Sequence, residues 1–188
     1  MSIALPIITK PLMKLSSKIV LIFLITFLIS CSSAKTYNSK MFGDDFLKNK
    51  TIVFTLNEKS ATVGVVREGP SAGIQRQPDV KKAFKKSIEN LAEETKLNLQ
   101  YRDSFSQPND SEIHIQANIT QIKWIFTMMS ATMKTNVNYD ILEKDSQYES
   151  IGSFKNMSGG SEDNNLYKSL KNANYLFLKE LEKNKEFN

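Results

Sequence analysis

Cysteine and histidine are nearly absent: 188 residues hold one of each, Cys31 and His114. One cysteine closes no internal disulfide, so packing alone must hold the fold. A lone histidine cannot build a His-rich metal centre. There is no Gly-rich phosphate loop with a following Lys and no DxDxDG calcium loop. The carboxylates Asp44-Asp45, Glu93-Glu94 and Asp145 are scattered, without the paired pattern that general acid–base work needs. No metal or cofactor is therefore expected. Ser2 stands where N-myristoylation needs glycine, and no cysteine lies near the C-terminus for prenylation. Internal repeats and low-complexity tracts are also missing. Only one long apolar run occurs, the eleven residues Ile19 to Ile29, and a bilayer core needs roughly 20.

That run has the setting of an export signal. Lys10, Lys14 and Lys18 precede it, and Ser30 supplies a small side chain after it. The polar stretch Ser30 to Lys40 rules out extending it into a transmembrane helix. Leu28-Ile29-Ser30-Cys31 resembles a bacterial lipobox, in which the cysteine is acylated and becomes the new N-terminus. A start at Met13 gives a signal of more usual length, leaving residues 1–12 as a misassigned start or a long n-region. The resemblance implies an anchor through acyl chains on Cys31. Each buried methylene adds roughly 0.8 kcal/mol of membrane affinity, and stable anchoring takes two chains. Ser32, where an Asp would retain a Gram-negative lipoprotein at the inner membrane, implies the outer membrane. With no acidic cluster after Cys31, the domain is expected to face the periplasm.

Removal of residues 1–30 changes the charge argument. The whole chain carries 25 basic and 20 acidic residues, and three of the lysines but none of the acids precede Cys31. The remaining 158 residues (188 − 30) carry +2 (22 − 20). Such a chain has no global basic field for phosphate, so no nucleic-acid partner is expected. With Cys31 acylated, no thiol remains for a nucleophile. Asn118-Ile119-Thr120 matches a glycosylation sequon and reads as chance in a bacterial lipoprotein.

The expected division is a signal over 1–30, an acylated cysteine and tether over 31–50, and a single domain over 51–188. Ser32 to Lys40 has no periodicity and reads as a tether reaching about 30 Å. Met41-Phe42 and Phe46-Leu47 are the expected docking points. TIVFTL (51–56) and ATVGVV (61–66) read as strands of a hairpin across the turn Asn57 to Ser60. Gly69 to Pro78 reads as a loop. Val80, Phe84, Ile88 and Leu91 recur at helical spacing, so a helix is predicted over Asp79 to Lys96 with Asp79 as its cap. Leu97, Leu99 and Tyr101 alternate. So do Ile113, Ile115, Ala117 and Ile119, after which the phase slips to Ile122, Trp124 and Phe126. A one-residue slip would turn the apolar set outward, and a β-bulge near Thr120-Gln121 restores it. Met133 to Ile141 completes a long hairpin, and a strand follows over about Tyr148 to Lys155. A helix over about Asn164 to Lys183 carries Leu166, Leu170, Ala173, Phe177 and Leu181 on one face, with Asp163 as cap. The pattern predicts an α+β domain: an antiparallel sheet of about five to six strands with two amphipathic helices on one face.

Three groups of residues invite a functional reading. Gly69-Pro70-Ser71-Ala72-Gly73 matches the G-x-S-x-G nucleophile elbow, but that turn needs a helix directly after the Ser, and Ile74 to Pro78 leaves no room for one. The only available base, His114, alternates away from Ile113 and Ile115 and is expected to face solvent. Lys81, Lys82, Lys85 and Lys86 crowd one helix and could meet anionic headgroups or lipid A phosphates, although Glu89, Glu93 and Glu94 balance them in part. Ile125 to Met133 places consecutive apolar residues at a predicted hairpin tip, where one of each pair should be exposed. Trp124, Phe126, Met128, Met129 and Met133 are thus candidates for contact with a partner or lipid; methionine adapts well to contact surfaces.

The order of elements over residues 51–183, with Ser111 to Thr120 opening a meander, resembles small periplasmic α/β lipoproteins of Gram-negative assembly and transport machines. Among these are lipopolysaccharide-assembly lipoproteins and auxiliary lipoproteins of lipid transporters. The extra N-terminal hairpin departs from that pattern. The resemblance implies a non-enzymatic accessory role, binding an envelope protein or lipid. Two alternatives stand beside it: a small serine hydrolase using Ser71, and a carrier of an apolar ligand in a cavity between sheet and helices.

Overall fold

Strands form where the alternation is cleanest, and helices where the apolar stripe is. The computed structural model describes residues 35–70, 76–105, 109–142, 144, 146–157, 160–184 and 187. Six strands, β1 (Thr51–Leu56), β2 (Val65–Glu68), β3 (Leu99–Tyr101), β4 (Glu112–Phe126), β5 (Ala131–Ile141) and β6 (Ser146–Asn156), form one sheet. Two helices, α1 (Val80–Thr95) and α2 (Glu162–Lys183), pack on one of its faces. The predicted α+β class and the placement of the helices both hold.

The sheet is mixed, which corrects the antiparallel expectation. Its order is β3-β1-β4-β5-β6, with β2 also beside β4. The β4–β5 and β5–β6 pairs are antiparallel. The β1–β3, β1–β4 and β2–β4 pairs are parallel. The predicted β1–β2 hairpin does not form. A short 3-10 turn at Glu58–Thr62 carries the chain forward instead of back. Both strands therefore run the same way along β4, β1 opposite Glu112 to Ala117 and β2 opposite Ile122 to Ile125. The predicted bulge in β4 lies between Ile119 and Gln121, opposite this interruption. There Ser60 Oγ accepts the Ile119 N–H at 2.8 Å and replaces the missing backbone partner. Parallel pairing of β1 with β3 follows from α1, since a helical crossover returns the chain to the end where it began.

The Asp79 side chain accepts the Lys82 N–H at 2.9 Å and caps α1. At α2 the cap is Ser161 rather than the expected Asp163, and the helix starts at Glu162. Both predicted stripes are buried, with Phe84, Ile88, Leu91, Leu166, Leu170, Ala173, Phe177 and Leu181 fully inaccessible. Phe177 stacks on Tyr139 at 4.2 Å, and Phe54 meets Phe84, Tyr139 and Phe177 edge-on. A polar line crosses this core. Tyr139 Oη donates to Asn174 Oδ1 at 2.8 Å, and Asn174 Nδ2 donates to Ser87 Oγ at 2.8 Å. Burial pushes the Tyr139 phenol well above its ordinary pKa, so it stays a donor. The line is satisfied at every step and fixes the rotation of α1 and α2 over the sheet.

Candidate functional site

The turn Thr127 to Ser130 joins β4 to β5. Thr127 N–H donates to the Ser130 carbonyl at 2.8 Å, and Ser130 N–H to Thr127 Oγ1 at 3.0 Å. These bonds close the turn within its own four residues and leave the two between them pointing out. Met128 is 96% and Met129 74% exposed. Trp124 and Met133, expected beside them, are core residues at 3% and 0% exposure. The bulge sends Ile122 and Trp124 inward, and Met133 belongs to the inward series of β5. Phe126 is half-buried and packs 4.5 Å from Trp124. Of the five candidate contact residues, two are therefore open.

The end of the sheet that carries this turn also carries the starts of both helices. β6 ends at Asn156, opposite Ala131, and α2 begins six residues later. Arg76 N–H donates to Glu162 Oε1 at 2.9 Å and Asp79 N–H to Asp163 Oδ1 at 3.1 Å, so the start of α1 lies beside that of α2. A surface cleft of about 400 Å³ opens there, lined in part by Arg76, Asp79, Lys82, Lys86, Asp163 and Tyr167. All four helix lysines are exposed, but the fold divides them. Lys81 and Lys85 face carboxylates, Asp103 at 2.9 Å and Glu89 at 3.9 Å. Lys82 and Lys86 line the cleft, with Lys86 Nζ 4.5 Å from the centre of the Tyr167 ring. Such exposed pairs contribute at most about 1 kcal/mol each. The Lys81 ammonium and the Tyr101 hydroxyl hold the Asp103 carboxyl below its usual range. Burial and the bond to Asp103 push the Tyr101 phenol up to about 12.

His114 is not solvent-facing. It lies on the sheet face away from the helices, as its alternation requires, yet it is 1% exposed. The chain after β3 turns back over it and sets Phe105 4.9 Å away, ring to ring. Its Nε2 lies 3.1 Å from Glu112 Oε2, and Arg102 grips both oxygens of that carboxylate at 2.6 and 3.1 Å. Arg102, then His114, holds Glu112 below the usual carboxylate range. A depressed carboxylate stabilises the fold above its unfolded pKa, and that contribution is lost as pH falls through the folded value. Arg102→Gln should therefore lower the denaturation midpoint at neutral pH, with the deficit closing as pH falls below the ordinary carboxylate range. A deficit that stays constant with pH would remove Arg102–Glu112 as its cause.

Nothing in the sequence singles out Tyr37 beyond its being an aromatic residue in a polar stretch. The chain joins the fold there, before Met41-Phe42. Tyr37 is 4% exposed, and its N–H donates to Glu94 Oε2 at 3.0 Å. Its ring stacks on Tyr175 at 4.1 Å, and its hydroxyl accepts from Asn172 Nδ2 at 2.9 Å. Lys171, almost fully buried, bonds the same Glu94 at 2.6 Å and sits 5.5 Å from the centre of the Tyr37 ring. Burial raises the Tyr37 phenol above its ordinary pKa. Phe42, Phe46 and Leu47 are buried as expected.

Cys31 and Ser71 lie outside the described residues. The first glycine of G-x-S-x-G, Gly69, has a packing reason: its φ is 88°, and any Cβ would overlap the Phe126 carbonyl oxygen. Among the described residues no three His, Cys, Asp or Glu side chains gather to hold a metal ion. Among them, too, no helix is long and apolar enough to cross a membrane.

No family model matches the chain, and no curated protein does. Solved structures give distant likenesses. An uncharacterized protein aligns with 79% of this chain and 98% of its own, at 8% identity and a TM-score of 0.39. A putative neuraminyllactose-binding hemagglutinin homolog from Helicobacter pylori aligns over 77% and 89%, at 10% identity and 0.37. The hypothetical protein CT253 from Chlamydia trachomatis aligns over 70% and 93%, at 15% identity and 0.33. At these scores nothing is carried from them to this chain.

Proposed function

We propose that the chain is a lipid-anchored lipoprotein of the bacterial envelope, held at the outer membrane facing the periplasm, with a binding rather than a catalytic role. The lipobox-like Leu28 to Cys31, directly after the apolar run, supports the anchor. One observation carries the binding role: two adjacent methionines stand open at the head of a tight turn. Burying a side chain of this size is worth about 1.5–3 kcal/mol, so both residues would gain by meeting an apolar surface. An envelope protein is the proposed partner. The hydrolase alternative needs His114 as a base, and that side chain is 1% exposed beneath Phe105.

A photo-crosslinking residue at position 129 should give a discrete protein adduct in cells, absent when the residue is placed at Glu149 on β6. Met128→Ser with Met129→Ser should leave the melting temperature unchanged and weaken the complex about tenfold or more. Equal adducts at both positions, or an unaltered complex in the double variant, would count against the turn as the contact.

A further inference from the structure

We infer that the side of α1 and α2 turned away from the sheet lies against the membrane that holds Cys31; this rests on the lipoprotein reading. The fold grips the chain at Tyr37, and only residues 32–36 separate that grip from Cys31. Six extended steps span at most about 20 Å. The grip is on the outer side of the helices. Leu170, Ala173 and Phe177 face the sheet, and Tyr175, on which Tyr37 stacks, lies half a turn away from them. A helix layer and a sheet are each about 10 Å thick. A linker of about 20 Å cannot pass around both layers and still deliver acyl chains to a bilayer beyond the far face.

The charges on this side agree with that placement. Lys35 and Lys40 flank Tyr37 and are exposed, and Lys82 and Lys86 lie on the outer side of α1. Of the acids there, Glu94 and Glu182 are bonded to Lys171 and Lys179, and Glu89 faces Lys85. Asp79 and Asp163, in the cleft beside Lys82 and Lys86, accept the Lys82 and Asp79 N–H groups at the helix starts, and Glu93 is exposed. Lysines brought to an anionic surface are attracted to it, so this face is a second membrane signal beside the acyl chains. The opposite sheet face, with Glu149, Ile151 and Lys155 exposed on β6, is then presented away from the bilayer.

Acylation of Cys31 leaves any introduced cysteine as the only thiol, which makes the orientation measurable. Full-length lipidated protein carrying Glu93→Cys or Glu149→Cys would be labelled with a fluorophore. Each would be reconstituted into phosphatidylethanolamine–phosphatidylglycerol vesicles containing a headgroup nitroxide. Quenching should be several-fold stronger at position 93 than at 149. Acyl mass on Cys31 and vesicle partition are read first, and their absence overturns the anchor and the orientation with it. Partition with equal quenching, or stronger quenching at 149, overturns the orientation alone.

Discussion

Cys31→Ser is expected to leave an unprocessed precursor that incorporates no acyl label. The reasoning is energetic as well as chemical. A lipid anchor contributes roughly 0.8 kcal/mol for each buried methylene, and a single myristoyl chain binds only marginally. Two or more chains make the attachment effectively permanent, and an unprocessed precursor carries none of them, keeping only its uncleaved apolar run Ile19 to Ile29. The lysines beside Tyr37 contribute only about 1 kcal/mol each near an anionic surface and cannot replace the acyl chains. The domain is expected to be unaffected, because the fold takes hold of the chain at Tyr37, six residues after Cys31. Equal melting temperatures for the two purified domains would show that. A Cys31→Ser protein still cleaved before residue 31 and still partitioning with membranes would show that the lipobox reading is wrong.

The largest effect on folding is expected at Gly152. This residue lies mid-strand in β6, directly beneath α2. A Cβ there would overlap the Ser169 carbonyl oxygen and stand 2.8 Å from Ala173 N and 2.9 Å from Ala173 Cβ. Two of those three atoms are helix backbone. The helix cannot lift, because Leu170, Ala173 and Phe177 around the contact are fully buried, and Ser169 itself bonds Thr135 at 3.1 Å. Overpacking a well-filled core typically costs about 1–3 kcal/mol, and a clash with fixed backbone belongs at or above the upper end. Gly152→Ala should therefore cost about 3 kcal/mol by urea denaturation, and the larger Gly152→Val should fail to fold, on a total of about 5–15 kcal/mol. Gly64→Ala is the control, since nothing lies within 4 Å of a Cβ there. A Gly152→Ala protein as stable as the parent would mean that α2 does not sit on β6 as described.

Some features were legible because they are written in short-range periodicity. The stripes Val80 to Leu91 and Leu166 to Leu181 can be buried in only one way as helices. The change of phase after Ile119 demanded a bulge, because otherwise Ile122 and Trp124 would face water. The cap at Asp79 follows from local backbone chemistry. Strand direction was not legible. TIVFTL looks the same whether the chain after it turns back or carries on, and of the expected strand ATVGVV only Val65 and Val66 belong to β2, Ala61 and Thr62 lying in the 3-10 turn. The choice was made by Ser60, which satisfies the Ile119 N–H from 59 residues away in sequence.

The candidate site divides along the same line. That consecutive methionines cap a hairpin could be read directly, but which aromatic and methionine neighbours join them could not. Trp124 and Met133 went inward through the cross-strand pair they form, and Met128 and Met129 stayed out because their turn closes on itself. His114 was placed on the correct sheet face, yet its burial depended on a return of the chain that brings Phe105 over it.

The sequence by itself determined both helices, the long strands, the α+β class, the near-neutral charge after Cys31 and the lipobox resemblance. All of these depend on residue type and on spacing within a few turns or strand residues. Tertiary structure alone decided the mixed sheet, the covering of His114, the two open methionines and the grip on Tyr37. The mixed sheet and the grip on Tyr37 join residues far apart in the chain, Tyr37 to Asn172 and Tyr175 among them, and a pairing across that distance is selected by the whole packed core.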